Sequence, residues 1–215
     1  MPSAPPLASR LADGLAAIRL ELPVDAQEKL LAYLDLLAKW NRTYNLTAVR
    51  DPEDMVSRHL LDSLAVLPFV HGETLADLGS GAGLPGIPLA IARPDIAVTL
   101  IESNGKKARF LREAVRSLPL ANVTVAQARV QDATGAFDTI TARAFASLPD
   151  MLAWGGHLLA PDGRWLALKG HADPVELDAV PRGFRVVTVH ALEVPGTDGE
   201  RCVVELARAH HRAPI

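Results

Sequence analysis

Residues 75–89 read LADLGSGAGLPGIPL. A short apolar run ends at Asp77, glycines stand at 79, 81, 83 and 86, and helix-compatible residues follow, with prolines where an early helical turn tolerates them. This reads as a strand, a tight turn and a helix start. Glycine permits positive φ and lets a ligand approach the backbone closely. The first turn of a helix adds unpaired N–H groups and a partial positive charge. The stretch therefore predicts a nucleotide-like ligand at the end of a strand.

Upstream, the pattern is helical throughout. Leu7, Leu11, Leu15 and Ile18 have helical spacing over 7–20. After Pro23, Asp25 reads as the N-cap of a second helix running to about Trp40, with Leu30, Leu31, Leu34, Leu37 and Ala38 on one face. The turn formers of NRTYNLTAV, 41–49, end it. A third helix follows Pro52, with Met55, Val56, Leu60, Leu64 and Leu67 as its apolar stripe.

Downstream, strands alternate with helices. Strands are predicted at 75–78, 98–102, 123–126, 139–142 and 165–169, and helices at 85–92, 106–118 and 148–159, with a PDG turn at 161–163. Two more strands, 184–190 and 202–206, flank the turn-rich PGTDGE and suit a hairpin. This order predicts an α/β, doubly wound, mostly parallel seven-stranded sheet with a terminal antiparallel hairpin. A helical cap, 1–72, precedes the core, 73–215.

Composition fits that picture. The chain has 215 residues, 49% hydrophobic and 22% charged, enough for one medium domain. No apolar run approaches the ~20 residues that span a bilayer, and the opening MPSAPPLASRLADGL has no secretory pattern. The lone Cys202 permits no internal disulfide or cysteine metal site, so a cytoplasmic setting, no membrane and no metal are expected. A net charge of −3 does not advertise a nucleic-acid binder, but basic residues cluster at Lys39–His59 and at Lys106–Arg116. The second cluster reads either as a solvated helix face or as an RNA contact.

Two ligands compete for the glycine stretch. Gly81-Ala82-Gly83-Leu84-Pro85-Gly86 matches the dinucleotide G-x-G-x-x-G, with Glu102 as the acidic residue about 20 positions on. Asp77-Leu78-Gly79-Ser80-Gly81 instead resembles the hhDhGxG signature of methyltransferases that use S-adenosyl-L-methionine. A carboxylate ahead of the glycines would repel a pyrophosphate and attract an ammonium or sulfonium, which favours the methyl donor. Glu102 suits ribose hydroxyls under either reading. Taken singly, Asp77 would read as a turn cap and Glu102 as a solvated strand end. At two successive strand termini, where doubly wound sheets bind ligands, the functional reading gains.

The acceptor is narrowed by absences. After the fourth strand the chain reads Thr141-Ala142-Arg143-Ala144-Phe145 rather than the (D/N)PP(Y/F) of exocyclic-amine methylation. Cys202 lies in a strand and reads as a small buried residue rather than a nucleophile. Guanine N7, whose lone pair needs no deprotonation, is an attractive acceptor. Arg143 fits guanine O6, a phosphate or a structural ion pair.

The chain resembles the RsmG (GidB) family in an ordered set of motifs covering about 25–208. These are Trp40-Asn41 with Tyr44-Asn45-Leu46-Thr47-Ala48, Arg58-His59-Leu60-Leu61-Asp62-Ser63-Leu64, and Asp77 to Gly86. Glu102-Ser103 with Lys106-Lys107 and Phe110-Leu111, Ala142-Arg143-Ala144, Leu168-Lys169-Gly170 and Glu200-Arg201 complete it. The resemblance implies a Rossmann-like methyltransferase that transfers methyl from S-adenosyl-L-methionine to N7 of a guanosine in bacterial 16S rRNA, within the 30S subunit or its precursor, as a monomer. It puts Asp77, Gly79, Ser80, Gly81, Leu84, Glu102 and the Val130-Gln131 backbone against the methyl donor. Arg143 stands at the mouth of that site as the catalytic residue. Gln131 departs from the acidic residue common in the family. Asn45, Arg58, His59 and Lys169 are candidate RNA contacts, His59 being as readily a satisfied interdomain histidine, and Asp62 an i,i+4 partner of Arg58. A non-catalytic nucleotide-binding regulatory module and a dinucleotide oxidoreductase remain the rival readings.

Overall fold

The computed structural model describes residues 6–143 and 145–209; Ala144 and both ends of the chain lie outside the described residues. The helical part comprises α1 (Leu7–Ala17), α2 (Val24–Tyr44), α3 (Pro52–Met55), a π-turn (Val56–Leu61) and α4 (Asp62–Leu64). The core follows as β1 (Thr74–Leu78), α5 (Gly86–Ala92), β2 (Ala97–Ile101), α6 (Gly105–Ser117), β3 (Val123–Ala126), β4 (Phe137–Arg143), α7 (Leu148–Gly155), β5 (Leu159–Lys169), α8 (Pro174–Asp178), β6 (Phe184–Ala191) and β7 (Cys202–Arg208). The seven strands form one sheet in the order β3-β2-β1-β4-β5-β7-β6. β1 to β5 are parallel, and β7 inserts antiparallel between β5 and β6.

Alternating side chains send the strands into two cores. Leu75, Val98, Leu100, Leu166, Leu168 and Val203 face α5, α6 and the N-terminal helices. Ala76, Leu78, Ile101, Ile140, Trp165 and Val204 face α7. Burial on both faces explains why these strands read as continuous apolar runs rather than alternating ones. The N-terminal helices contribute Leu11, Leu30, Tyr33, Leu37, Leu60 and Leu64 to the first core, so they are packed on the sheet layer and not appended to it. Among the described residues no helix is long and apolar enough to cross a membrane.

Several local expectations are corrected. Asp25 is not the N-cap of α2; Pro23 holds that position and Asp25 falls in the first turn. The helix continues to Tyr44 and ends where Asn45 turns left-handed, φ 50°. The helix after Pro52 takes a π-turn at 56–61. The PDG stretch lies within the span of β5, where the register against β4 shifts: Phe137 pairs with Leu159 and Thr139 with Arg164, leaving residues 160–163 opposite Asp138. Helix α8, opened by an Asp173 cap, has no apolar periodicity over its five residues and escaped the sequence reading.

One bond joins the helices to the glycine stretch. The Tyr33 hydroxyl, fully buried in α2, donates to the Ala82 carbonyl at 2.6 Å. Burial drives its pKa far upward, so it remains a donor. Tyr33→Phe leaves that carbonyl unpaired and should lower stability by about 1–3 kcal/mol, measured by urea denaturation, while near-native circular dichroism is retained.

Candidate functional site

The glycine stretch is held from behind by Asp77. This penultimate residue of β1 is fully buried, and each carboxylate oxygen has one donor. Thr141 of β4 donates its hydroxyl to Oδ1 at 2.9 Å, and the Gly86 N–H at the start of α5 donates to Oδ2 at 3.2 Å. Ser80 in turn donates its hydroxyl to the Asp77 carbonyl at 2.8 Å. Burial pushes the Asp77 pKa up to about 6, against the lowering effect of its hydrogen bonds and of Arg143. A Cβ at Gly86 would collide with Leu100 and Asp77, so glycine is needed for the backbone to come this close. Gly79, Gly81 and Gly83 all have positive φ.

In front of the stretch lie two cavities of about 510 and 500 Å³ that share Gly79 and Lys107. The first faces the helical cap and brings together the predicted Gly79, Ser80, Gly81, Leu84, Arg58, His59, Arg143 and Lys169. The second brings together Gly79, Glu102, Val130 and Gln131, with the Phe145 ring over Gly79. Glu102, one residue past β2, accepts from the N–H groups of Gly81 (2.9 Å) and Asn104 (2.7 Å), tying the glycine stretch to the start of α6. Two predicted residues stand apart. Asp77 lines neither cavity, because its carboxylate is sealed behind the stretch, and Asn45 is an exposed helix terminus whose Oδ1 accepts from Arg50.

The cap-side cavity is cationic. Arg58, Lys107, Arg143, Lys169 and Arg201 line it with a single carboxylate among the described residues, Asp62. Asp62 does not pair with Arg58 as the i,i+4 spacing suggested. Both line the cavity, but no ion pair joins them among the described residues. Asp62 contacts Arg143 at 3.2 Å and Arg201 at 3.4 Å instead. Arg58 contributes its carbonyl to Arg143. Lys169 is drawn toward Glu176 of α8 at 2.8 Å and the Ala146 carbonyl at 3.0 Å. His59 is buried, with Nε2 2.9 Å from the Thr47 hydroxyl; burial and then Arg143 lower its pKa to about 4, so the ring is neutral at pH 7.

Sequence reasoning missed Tyr33, Thr47, Phe145 and the pairing of Arg201 with Asp62. Tyr33 carried a signal, a phenol on the apolar face of an amphipathic helix, which must find a partner when buried. Cys202 opens β7 rather than lying mid-strand. It is buried at the cavity edge, and burial raises its pKa, which suits an unreactive thiol.

Comparison with known proteins is consistent along the chain. The family model described as GidB, rRNA small subunit methyltransferase G, matches residues 26–204. A curated relative from Xanthomonas campestris pv. campestris, "Ribosomal RNA small subunit methyltransferase G", is 57% identical over 202 residues, 93% of this chain and 94% of the relative. A protein of the same name from Stenotrophomonas maltophilia is 54% identical, covering 92% and 93%. Among solved structures, M. jannaschii TYW2 in complex with AdoMet aligns with TM-score 0.53 at 17% identity, over 70% of this chain and 76% of that one. At that identity the likeness concerns the fold alone, a Rossmann-like methyltransferase sheet.

Asp77 and His59 shift in opposite directions from 3.8 and 6.5. Between about pH 4 and 6 the folded protein keeps an Asp77 proton that the unfolded chain has lost, so this group makes stability fall as pH rises. Over nearly the same range the unfolded chain binds a His59 proton that the folded ring refuses, so His59 makes stability rise with pH. Urea denaturation from pH 4 to 6.5 should show a slope more positive than wild type in Asp77→Asn and more negative in His59→Gln.

Proposed function

Because this chain belongs to the GidB family, rRNA small subunit methyltransferase G, we propose that it transfers the methyl group of S-adenosyl-L-methionine to N7 of one guanosine in bacterial 16S rRNA, within the 30S subunit or its precursor. It acts as a monomer in the cytoplasm, with residues 1–72 as a cap that presents RNA to a core of 73–215. The observation that carries this reading is the pair of adjoining cavities at the C-terminal ends of β1, β2 and β4, one of them lined by five cations and one carboxylate. Doubly wound sheets bind ligands at this edge, and a cationic cleft suits a phosphate-bearing acceptor.

The residues present fit the donor. In the second cavity, Glu102 and the Val130-Gln131 backbone would hold the adenosine end, Glu102 through ribose hydroxyls. Gly79, Ser80, Gly81 and Leu84 would hold the remainder along the glycine stretch, where Gly79 has no side chain between the cavities. Asp77 serves this site from behind, shaping the stretch through Gly86 and Thr141. Bound there, the donor supplies an electrophilic methyl group on a sulfonium.

Guanine N7 attacks with its own lone pair, so no base is required. That chemistry is supported by a cavity whose carboxylate, Asp62, is occupied by two arginines among the described residues, and whose histidine, its pKa lowered to about 4, is a weak base. What remains for the protein is alignment and exclusion of water. Arg143 is the residue assigned to the acceptor, donating to guanine O6 or an adjacent phosphate. Arg58, His59 and Lys169 face the same space. Asn45, outside the cavity, could reach only flanking RNA.

Purified protein given tritiated S-adenosyl-L-methionine and unmodified 30S particles or 16S rRNA should label a single N7-guanosine. Absence of label on every such substrate, with tight donor binding by calorimetry, would instead favour a non-catalytic module. Arg143→Ala should slow methyl transfer by about a hundredfold or more with a melting temperature close to wild type. Loss of folded protein alone would make Arg143 a structural ion-pair partner.

A further inference from the structure

Asp62 stands where three parts of the chain meet. It opens α4 in the helical cap and is buried. Its Oδ2 lies 3.2 Å from Nη1 of Arg143, at the end of β4, and its Oδ1 lies 3.4 Å from Nε of Arg201, just ahead of β7. Nη1 of Arg143 also donates to the Arg58 carbonyl at 3.2 Å, and Nη1 of Arg201 to the Glu200 carbonyl at 2.8 Å. Among the described residues, Nε and Nη2 of Arg143 and of Arg201 have no protein hydrogen bond, Nε of Arg201 meeting Asp62 at ion-pair distance, and both side chains line the cavity at about a quarter exposure, 24% and 26%. Each guanidinium is therefore anchored at one carboxylate and keeps N–H groups without a protein hydrogen bond.

Two cations gathered at one carboxylate in a half-desolvated cavity would repel one another without it. A guanidinium on three flexible methylenes also has many orientations, and fixing it in advance is what alignment catalysis needs. A buried ion pair is weak evidence of stabilisation in itself, since desolvation consumes much of the Coulombic gain. A carboxylate placed here by a π-turn, a rare element common at functional sites, is better explained by geometry than by stability.

We propose that Asp62 is a positioning residue for methyl transfer: it anchors Arg143 at Nη1 and Arg201 at Nε, so that their remaining N–H groups face the acceptor, and does not itself touch acceptor or donor. This rests on the rRNA methyl-transfer reading above. Charge, not volume, is the operative property, so an amide of the same size cannot replace it.

The test is Asp62→Asn in the full chain, with 30S particles as substrate. Single-turnover methylation should fall about tenfold or more. RNA binding should stay equal or tighten and become steeper in salt, because the cavity gains a net positive charge. On an Arg143→Ala/Arg201→Ala background, where both guanidiniums are gone, the same substitution should change the rate by less than about twofold. A rate within about twofold of wild type, or a further loss on that background that multiplies with the first, would overturn the proposal. So would a rate loss that tracks the unfolded fraction and disappears on cooling. Nitrogen-15 spectra of the arginine Nε–H groups give a readout independent of activity. A protected Arg201 signal in wild type, lost in Asp62→Asn, supports the grip even if wild type labels no RNA, in which case it is the methyl-transfer reading that fails; a signal unchanged by the substitution overturns the grip itself.

Discussion

The buried carboxylate of Asp77 is the constraint from which the rest of the site follows. It joins the end of β1 to its ladder neighbour β4 through Thr141 and to the first N–H of α5 through Gly86, so one group ties both ends of the glycine stretch to the sheet. A charge with no solvent contact is expensive, and its raised pKa shows that two donors only partly offset the burial. Such a residue weakens the fold near neutral pH. It is explained by the shape it imposes, in which Gly79 and Gly81 lie open to two cavities and Ser80 is locked beneath them.

The helical cap meets that shape at two points of different character. Tyr33 reaches from α2 to the Ala82 carbonyl inside the apolar core. Asp62 reaches across the cavity to Arg143 and Arg201 from the far side. The glycine stretch is thus clamped by its own strand, by a neighbouring strand and by a helix some fifty residues earlier in sequence, with |i−j| of 49 for the tyrosine bond. The N-terminal helices also share a continuous core with one face of the sheet, so the same packing supports both them and the strands that carry the site.

Much of this was legible in the sequence. Seven strands, their order of alternation with helices and the terminal hairpin followed from apolar runs and turn chemistry, because local pattern and fold agree there. The cavity-lining glycines and Arg143 were legible too, as residues at strand ends. Pairings across distant elements were not. The i,i+4 spacing of Arg58 and Asp62 pointed to a local partnership, but Asp62 is taken instead by Arg143 and Arg201, 81 and 139 residues on, which no local spacing announces. Likewise PDG has the chemistry of a turn, yet it falls within the span of β5, at a register shift against β4. Asp77 was legible as a site residue, but only burial shows that it works from behind the stretch.

Net charge was the least informative quantity of all. A chain at −3 looks unsuited to RNA, yet five cations converge on one cavity with one acid among the described residues. Averaging hides this because the acidic residues lie elsewhere, many paired on the surface, as Glu113 is with Arg116 and Asp95 with Arg93. The arrangement also accords with an acceptor that loses no proton before attack. An amine acceptor wants a nearby group able to take a proton, and a cytosine acceptor wants a thiolate. Here burial and Arg143 make the histidine a weak base, the cavity's carboxylate is held by two guanidiniums, and burial raises the pKa of the Cys202 thiol. Cations fixed in direction are what the cavity has to offer, and a lone-pair nucleophile on an anionic polymer is what they are suited to hold.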